Sequence, residues 1–197
     1  MKTPCKTPAC QGLGRLNSGR WLLGFIWLWL ACGWPAAADE TAGVAEYQVK
    51  AVYLYNFTKF TDWPANTFAS ASAPLVIGIV GEDPFGKTLD DLVKGEVVDL
   101  HPLVIKRLQP GDDLRYCQVL FICRNEKDQM SALLQKLKGS PVLTVGDTNG
   151  FAEEGGMINF VIVEETVKLE INQAAAEEAG LQISAKLLKI ARTVKSD

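Results

Sequence analysis

The chain has 197 residues, with 20 basic and 23 acidic side chains. This length suits one domain with a buried core, and the acidic balance without a basic stripe excludes a nucleic-acid-binding class. Residues 1–38 have the features of a secretory signal peptide: a basic start without acids, an apolar stretch over 21–33 and three alanines at 36–38. That stretch is shorter than the ~20 residues that span a bilayer, which favours cleavage over a retained anchor. We therefore predict an exported protein in which residues 39–197 form a single domain.

The middle of the chain alternates between helical and strand-like stretches. A helix is predicted over residues 46–62, and it ends before Pro64 because the residue preceding a proline avoids helical backbone angles. Buried strands are predicted over 75–80, 103–108, 119–123 and 141–145. Helices are predicted between them over 88–94 and 126–138, the second capped by Asn125.

The C-terminal third predicts a hairpin followed by two helices. Residues 157–163 are almost all apolar, as in a central strand covered on both faces, whereas 167–172 alternate and place Lys168, Glu170 and Asn172 on a solvent-facing side. Asn172 caps an alanine-rich helix that Gly180 ends, and apolar spacing predicts a second helix over 183–191. The fold class that follows is α/β: a mixed, mostly parallel sheet with helices on both faces, closed by a C-terminal β-hairpin and two helices.

Aromatic side chains are concentrated in and just after the first helix. One interpretation is that their rings pack the helix onto the sheet. Another is that exposed ring edges anchor a protein partner, because Tyr and Trp bury a large area at low entropic cost. Both can hold, so five residues are predicted to bind a partner: Tyr53, Tyr55, Phe57, Phe60 and Trp63.

Residues 81–88 match the phosphate-binding P-loop pattern and lie between a predicted strand and a predicted helix. However, Pro84 has no N–H to offer a phosphate, and Glu82 and Asp83 place negative charge where the anion would sit. An exported protein also meets little nucleoside triphosphate. We therefore predict a structural turn that binds no nucleotide, in which Gly81 and Gly86 supply permissive backbone.

A glycine-rich loop over residues 146–156 follows the last of the middle strands, at the edge where open α/β sheets bind ligands. Polar side chains and free N–H groups there could hold a small polar molecule. The alternative is a structural turn that reverses the chain into the next strand. The predicted ligand-binding residues are Asp147, Thr148, Asn149, Gly155 and Gly156.

Other chemistry is sparse. His101 is the only histidine and no G-x-S-x-G nucleophile pattern occurs, so we predict no enzymatic activity, no cofactor and no metal site. Beyond the signal segment only Cys117 and Cys123 remain. Residues 115–124 can be read as one continuous strand, which would separate the two thiols by about 20 Å, against a disulfide limit of about 7 Å between Cα atoms. This predicts two buried thiols, with pairing to another chain or a distant partner as the alternative.

Three blocks of the chain together resemble the YfiR family of bacterial periplasmic regulators: the aromatic stretch 50–64, the Gly-x-x-Pro-Phe-Gly turn 81–86 and the C-terminal stretch 155–192. The resemblance covers residues 46–191. It implies a non-enzymatic protein that binds and restrains an inner-membrane signalling enzyme, a diguanylate cyclase or a histidine kinase. Lower cyclic-di-GMP output and less biofilm would follow.

The resemblance also bears on redox behaviour and assembly. Family members commonly use disulfides for stability and redox response, and the two remaining cysteines here are too few and too badly placed to imply the same. We predict a homodimer. The alternative function is a periplasmic small-ligand sensor or solute-binding module that uses the 146–156 loop.

Overall fold

The computed structural model describes residues 37–194. Residues 1–36, which carry most of the predicted signal peptide, lie outside the described residues. Asp39–Asp197 form one compact unit. The helices are α1 Ala37–Lys59, α2 Lys87–Val93, α3 Met130–Leu137, α4 Gln173–Glu178 and α5 Ala185–Leu188, with a 3₁₀ segment over Arg124–Gln129. The strands are β1 Thr61–Asp62, β2 Leu75–Val80, β3 Val97–Val98, β4 His101–Leu108, β5 Val119–Ile122, β6 Leu143–Gly146, β7 Ile158–Val163, β8 Thr166–Ile171, β9 Gln182–Ile183 and β10 Arg192–Thr193.

Eight strands form the main sheet in the order β10-β8-β7-β6-β5-β2-β4-β3. The five strands from β4 to β7 run parallel, β8 and β3 are antiparallel to their neighbours β7 and β4, and β10 is parallel to β8. The predicted fold class is therefore confirmed. Strands β2 and β5 are buried at every position, because helices cover both faces of the sheet.

Two hydrophobic cores lie on the two faces of the sheet. Helices α1 and α2 pack on one face through Leu54, Phe57 and Leu89, against strand residues such as Phe121. Helix α3 packs on the other face, where its four buried side chains meet alternate residues of β2 and β5. Since the side chains of a strand alternate between faces, each central strand contributes to both cores.

The C-terminal elements differ from prediction in two ways. The second helix is one turn long, because Ile183 belongs to β9, which pairs with β1, and Ser184 caps α5 through its hydroxyl. The prediction that Glu170 and Asn172 face solvent is also wrong. Glu170 is 6% exposed and pairs with Arg192 of the covering strand β10, and Asn172 is fully buried. A short local pattern could not reveal that β10 returns to cover this edge.

Two further predictions are corrected by long-range pairing. Strand β7 is not covered along its whole length, because it pairs with only the last two residues of β6 and continues past that strand, leaving Ile162 and Val163 each 48% exposed. Asn125 is not a helix cap. Its side-chain oxygen instead accepts a hydrogen bond from the backbone N–H of Glu82, at 3.1 Å, in the turn after β2.

Candidate functional site

The carboxyl ends of the parallel strands face the middle of α1, around Tyr47 and Lys50. Lys50 of α1 contacts Asp147, directly after β6, whereas Trp63, beyond the helix, donates its indole N–H to the carbonyl oxygen of Gln118, directly before β5. Helix α1 therefore runs antiparallel to the central strands. Open α/β sheets bind their ligands at this carboxyl edge.

A buried charge cluster joins α1 to this edge. One carboxylate oxygen of Asp147 accepts hydrogen bonds from the Lys50 ammonium at 2.7 Å and the Tyr47 hydroxyl at 2.8 Å, and Arg124 reaches it at 3.3 Å. Lys50 is 1% exposed, and it also pairs with Glu46 one helical turn earlier. The other oxygen of Asp147 is buried and has no hydrogen-bond partner among the described residues. Two cations and two carboxylates thus balance in charge.

The cluster is suited to holding α1 in place rather than to catalysis. Burial first, and then the neighbouring Asp147 carboxylate, raise the pKa of Tyr47 well above its ordinary value, so the phenol stays a neutral donor. Lys50 is enclosed by the Tyr47 ring at 4.3 Å and by Asp147, which leaves it no open side. The described residues contain no group of three or more His, Cys, Asp and Glu side chains that could hold a metal ion.

The predicted loop residues do not converge on one space. Asp147 turns towards α1, Thr148 is buried, Asn149 is exposed, and only Gly155 borders a nearby cavity of about 230 Å³ between α3 and α4. The loop instead wraps the fully buried Phe151, whose carbonyl oxygen accepts the N–H of Gly156 at 2.8 Å. This arrangement accounts for the loop as a structural turn.

Gly156 illustrates how tightly the loop is packed. A Cβ at this position would lie 2.1 and 2.2 Å from two carbons of the Phe151 ring and 2.7 Å from its carbonyl oxygen. We expect Gly156→Ala to lower the free energy of unfolding by about 2–3 kcal/mol, because overpacking a rigid core site forces the backbone to move. Urea unfolding measures this.

Gly43→Ala is the matched control. Gly43 lies inside α1 with nothing within 4 Å of its added Cβ, so this change should raise stability by about 0.5–1 kcal/mol. Equal and small effects at both glycines would contradict the packing of the loop around Phe151.

The aromatic side chains of α1 pack mainly inward. Phe57 is fully buried and stacks on Phe160 of β7, so it has no surface to offer a partner. The other four predicted residues are half-buried. Tyr53 lies 5.9 Å from the Phe160 ring, Tyr55 donates to Glu96, and the Trp63 indole is held by Gln118. The interpretation that the rings pack the helix onto the sheet therefore describes this structure, and four ring edges stay partly accessible.

An exposed apolar surface lies instead on the outer side of α1 and on the end of β7. Tyr53 of α1 lies against Phe160 of β7. Val49 is one helical turn before Tyr53 on the same side of α1, and Ile162 is two residues after Phe160 on the same face of β7. Both steps lead in the same direction, past the carboxyl edge of the sheet. We name five exposed apolar residues of these two elements the apolar rim: Val44, Val49 and Val52 on α1, and Ile162 and Val163 at the end of β7, where Val163 points to the opposite face from Ile162.

The sequence analysis predicted neither the apolar rim nor the burial of Lys50. The valine spacing Val44, Val49 and Val52 was a usable helical signal, because these residues fall on the side opposite Leu54 and Phe57. Lys50 lies between Tyr47 and Leu54 on the inner side of the same helix, so a helical projection already placed a charge in the core. Its partner, 97 residues away, could not be read from the chain.

The Gly-x-x-Pro-Phe-Gly turn is occupied by its own side chains. The Asp83 carboxylate accepts the N–H of Phe85 at 2.7 Å and pairs with Arg107, which also pairs with Asp90. Phe85 is buried edge-on against Phe121. Gly81 and Gly86 both have positive φ, as the predicted structural turn requires.

Cys117 and Cys123 are free and buried, which confirms the prediction of two buried thiols. The strand between them is shorter than predicted, because it covers only Val119–Ile122 and leaves Cys117 in the preceding turn. Burial raises the pKa of each thiol to about 12 from its ordinary 9.0.

These raised pKa values predict a loss of stability at high pH. The unfolded chain releases thiol protons above pH ~9 while the folded chain keeps them until about 12, so the stabilisation is complete below 9 and is lost between 9 and 12. We expect the free energy of unfolding to fall by about 1 kcal/mol per thiol between pH 9 and 10. Urea unfolding at both pH values should show a smaller fall in the free energy of unfolding for Cys117→Ala/Cys123→Ala than for the unchanged protein. An equal fall in both proteins would contradict the raised pKa of the buried thiols.

Residues 47–192 match the family model described as YfiR/HmsC-like. No curated protein matches the chain significantly. Among residues 37–194, no helix combines the length and the apolar character needed to cross a membrane.

Proposed function

The chain belongs to the YfiR/HmsC-like family of periplasmic regulatory proteins, and from this we propose that it binds and restrains an inner-membrane diguanylate cyclase, so lowering cyclic-di-GMP output. The mode of action is association, without catalysis by this chain. A histidine kinase is the other class of membrane signalling partner that the resemblance allows. Export through the predicted signal peptide would place residues 39–197 beside the periplasmic region of such a partner, and a homodimer stays a prediction.

The observation that carries this proposal is the apolar rim. Its five residues are 45–58% exposed and are apolar, on an otherwise acidic chain. A surface of this kind at one end of a molecule marks a site of association. The half-buried ring of Tyr53, which lies against Phe160, would extend it at its border, whereas Tyr55 is bonded to Glu96 beside β3 and Phe57 is excluded by its burial.

The tip of the β7–β8 hairpin adds a second indication. Glu164 and Glu165 form the two-residue turn between Val163 and Thr166, and both have positive φ, which glycine or asparagine normally supplies in such turns. Residues held in such backbone conformations cluster at binding and switch sites. The acidic tip next to Ile162 and Val163 would suit a partner surface with an apolar centre and basic residues beside it.

The test is affinity capture from detergent-solubilised membranes of the native host, with tagged residues 39–197 as bait. We expect enrichment of a transmembrane diguanylate cyclase or histidine kinase, identified by mass spectrometry. Bait carrying Ile162→Asp is the matched control and should lose the enrichment. An empty capture that stays empty after crosslinking would contradict the proposal.

A further inference from the structure

We propose that a cavity at the opposite, amino-terminal edge of the sheet binds a small organic cation with an apolar, planar part. The cavity has a volume of about 460 Å³ and lies between the end of α1, the segment 61–71 and the β3–β4 turn. A space of this size suits a small molecule. It is separate from the apolar rim and from the 146–156 loop, neither of which lines it.

Three aromatic rings line the cavity. Phe68 stacks on His101 with ring centroids 3.7 Å apart, and the Trp63 indole is held by its hydrogen bond to Gln118. His101 is also fixed, because its Nδ1 contacts the carbonyl oxygen of Ala73 at 2.6 Å. A carbonyl only accepts, so Nδ1 carries the proton and Nε2 is an acceptor in the neutral ring. Immobilised rings of this kind form a platform for a flat apolar group.

The polar groups of the cavity are mostly acceptors. Asp62 and Asp99 line it, and no lysine or arginine of the described residues does. Carboxylates and aromatic rings that line the same cavity favour an ammonium group, which both attract. An anionic ligand would meet two like charges and no balancing cation, so the lining selects against carboxylates and phosphates.

Thr61 adds a polar group to the cavity lining whose hydrogen-bonding capacity is unused. It is 5% exposed and lines the cavity, and its hydroxyl has no hydrogen-bond partner among the described residues. Thr58, which lines the same cavity, has its hydroxyl bonded to the Tyr55 carbonyl at 2.6 Å. A buried hydroxyl without a partner is costly. Rotation of the Thr61 side chain towards the cavity would let it accept a hydrogen bond from the bound ammonium.

The experiment uses 2-phenylethylammonium as the probe and residues 39–197, the compact unit of the chain, as the protein. Trp63 is the only tryptophan of these residues, so its fluorescence reports directly on the cavity. We expect a saturable change with 2-phenylethylammonium. Binding should be at least tenfold weaker with the neutral 2-phenylethanol and with the anionic 3-phenylpropionate. No saturable change, or equal binding of all three probes, would overturn the proposal.

Substitutions at Asp62 and Asp99 test whether the two carboxylates bind the ammonium group, without changing the fold. Asp62→Asn/Asp99→Asn should weaken 2-phenylethylammonium binding about tenfold and leave 2-phenylethanol unchanged. Both side chains are exposed, and asparagine tolerates the positive φ of residue 99, so folding should be kept. Asp128→Asn, at an exposed position outside the cavity, is the control and should bind like the unchanged protein. Equal weakening by the control would overturn the assignment. No membrane partner is present, so the outcome is independent of the proposed regulatory function.

Discussion

Replacing Asp147 by alanine is expected to lower the free energy of unfolding by about 3 kcal/mol, because it leaves the Lys50 ammonium buried without its main partner. Glu46 remains as a second carboxylate, but it is itself partly exposed and lies on the same helix. The Tyr47 hydroxyl loses its acceptor in the same substitution. Urea unfolding measures the total loss in the free energy of unfolding. Hydrogen exchange should show faster opening of the first half of α1.

The control for this prediction is Arg124→Gln. The Arg124 side chain is 60% exposed and contacts the same carboxylate, so its loss should cost only about 0.5 kcal/mol. The variant Lys50→Met/Asp147→Ala removes both charges and should cost less than the sum of Lys50→Met and Asp147→Ala. If Asp147→Ala costs no more than Arg124→Gln, the cluster does not hold α1 to the sheet.

Introducing a charge into the apolar rim should abolish association with the membrane partner. We expect Ile162→Asp and Val49→Asp each to weaken binding of the purified periplasmic region of the captured protein at least thirtyfold, or about 2 kcal/mol. A buried, unpaired carboxylate at the centre of an interface is costly, whereas in the free protein these positions face solvent. Calorimetric titration gives the affinities, and the free energy of unfolding should change by less than about 1 kcal/mol.

Val97→Asp is the matched control for the rim. Val97 is 57% exposed and lies on β3, at the other end of the strand order, so the same substitution should leave binding unchanged. Tyr53 and Trp63 are unsuitable for this purpose because their rings support α1 and the 61–71 segment. Normal binding by both rim variants would place the interface elsewhere on the molecule.

The sequence could predict those parts of the site that depend on local chemistry. The glycines around Phe85 indicated a turn, and Asn172 was correctly identified as the cap of α4. The five aromatic residues were correctly recognised as a dense group, yet their density alone does not say which way the rings point. Phe160, which lies more than 100 residues away, decides that Tyr53 and Phe57 turn inward.

By itself the sequence determined the α/β class, the order of the major elements and the family, because apolar periodicity, caps and glycine turns act over a few residues. Only the tertiary structure decided which surfaces are free. In the folded chain Lys50 pairs with Asp147, and β10 lies beside Glu170 of β8. Strand β7 extends past the end of β6, which leaves Ile162 exposed. Each of these depends on strand register and long-range packing, which no short stretch of residues encodes.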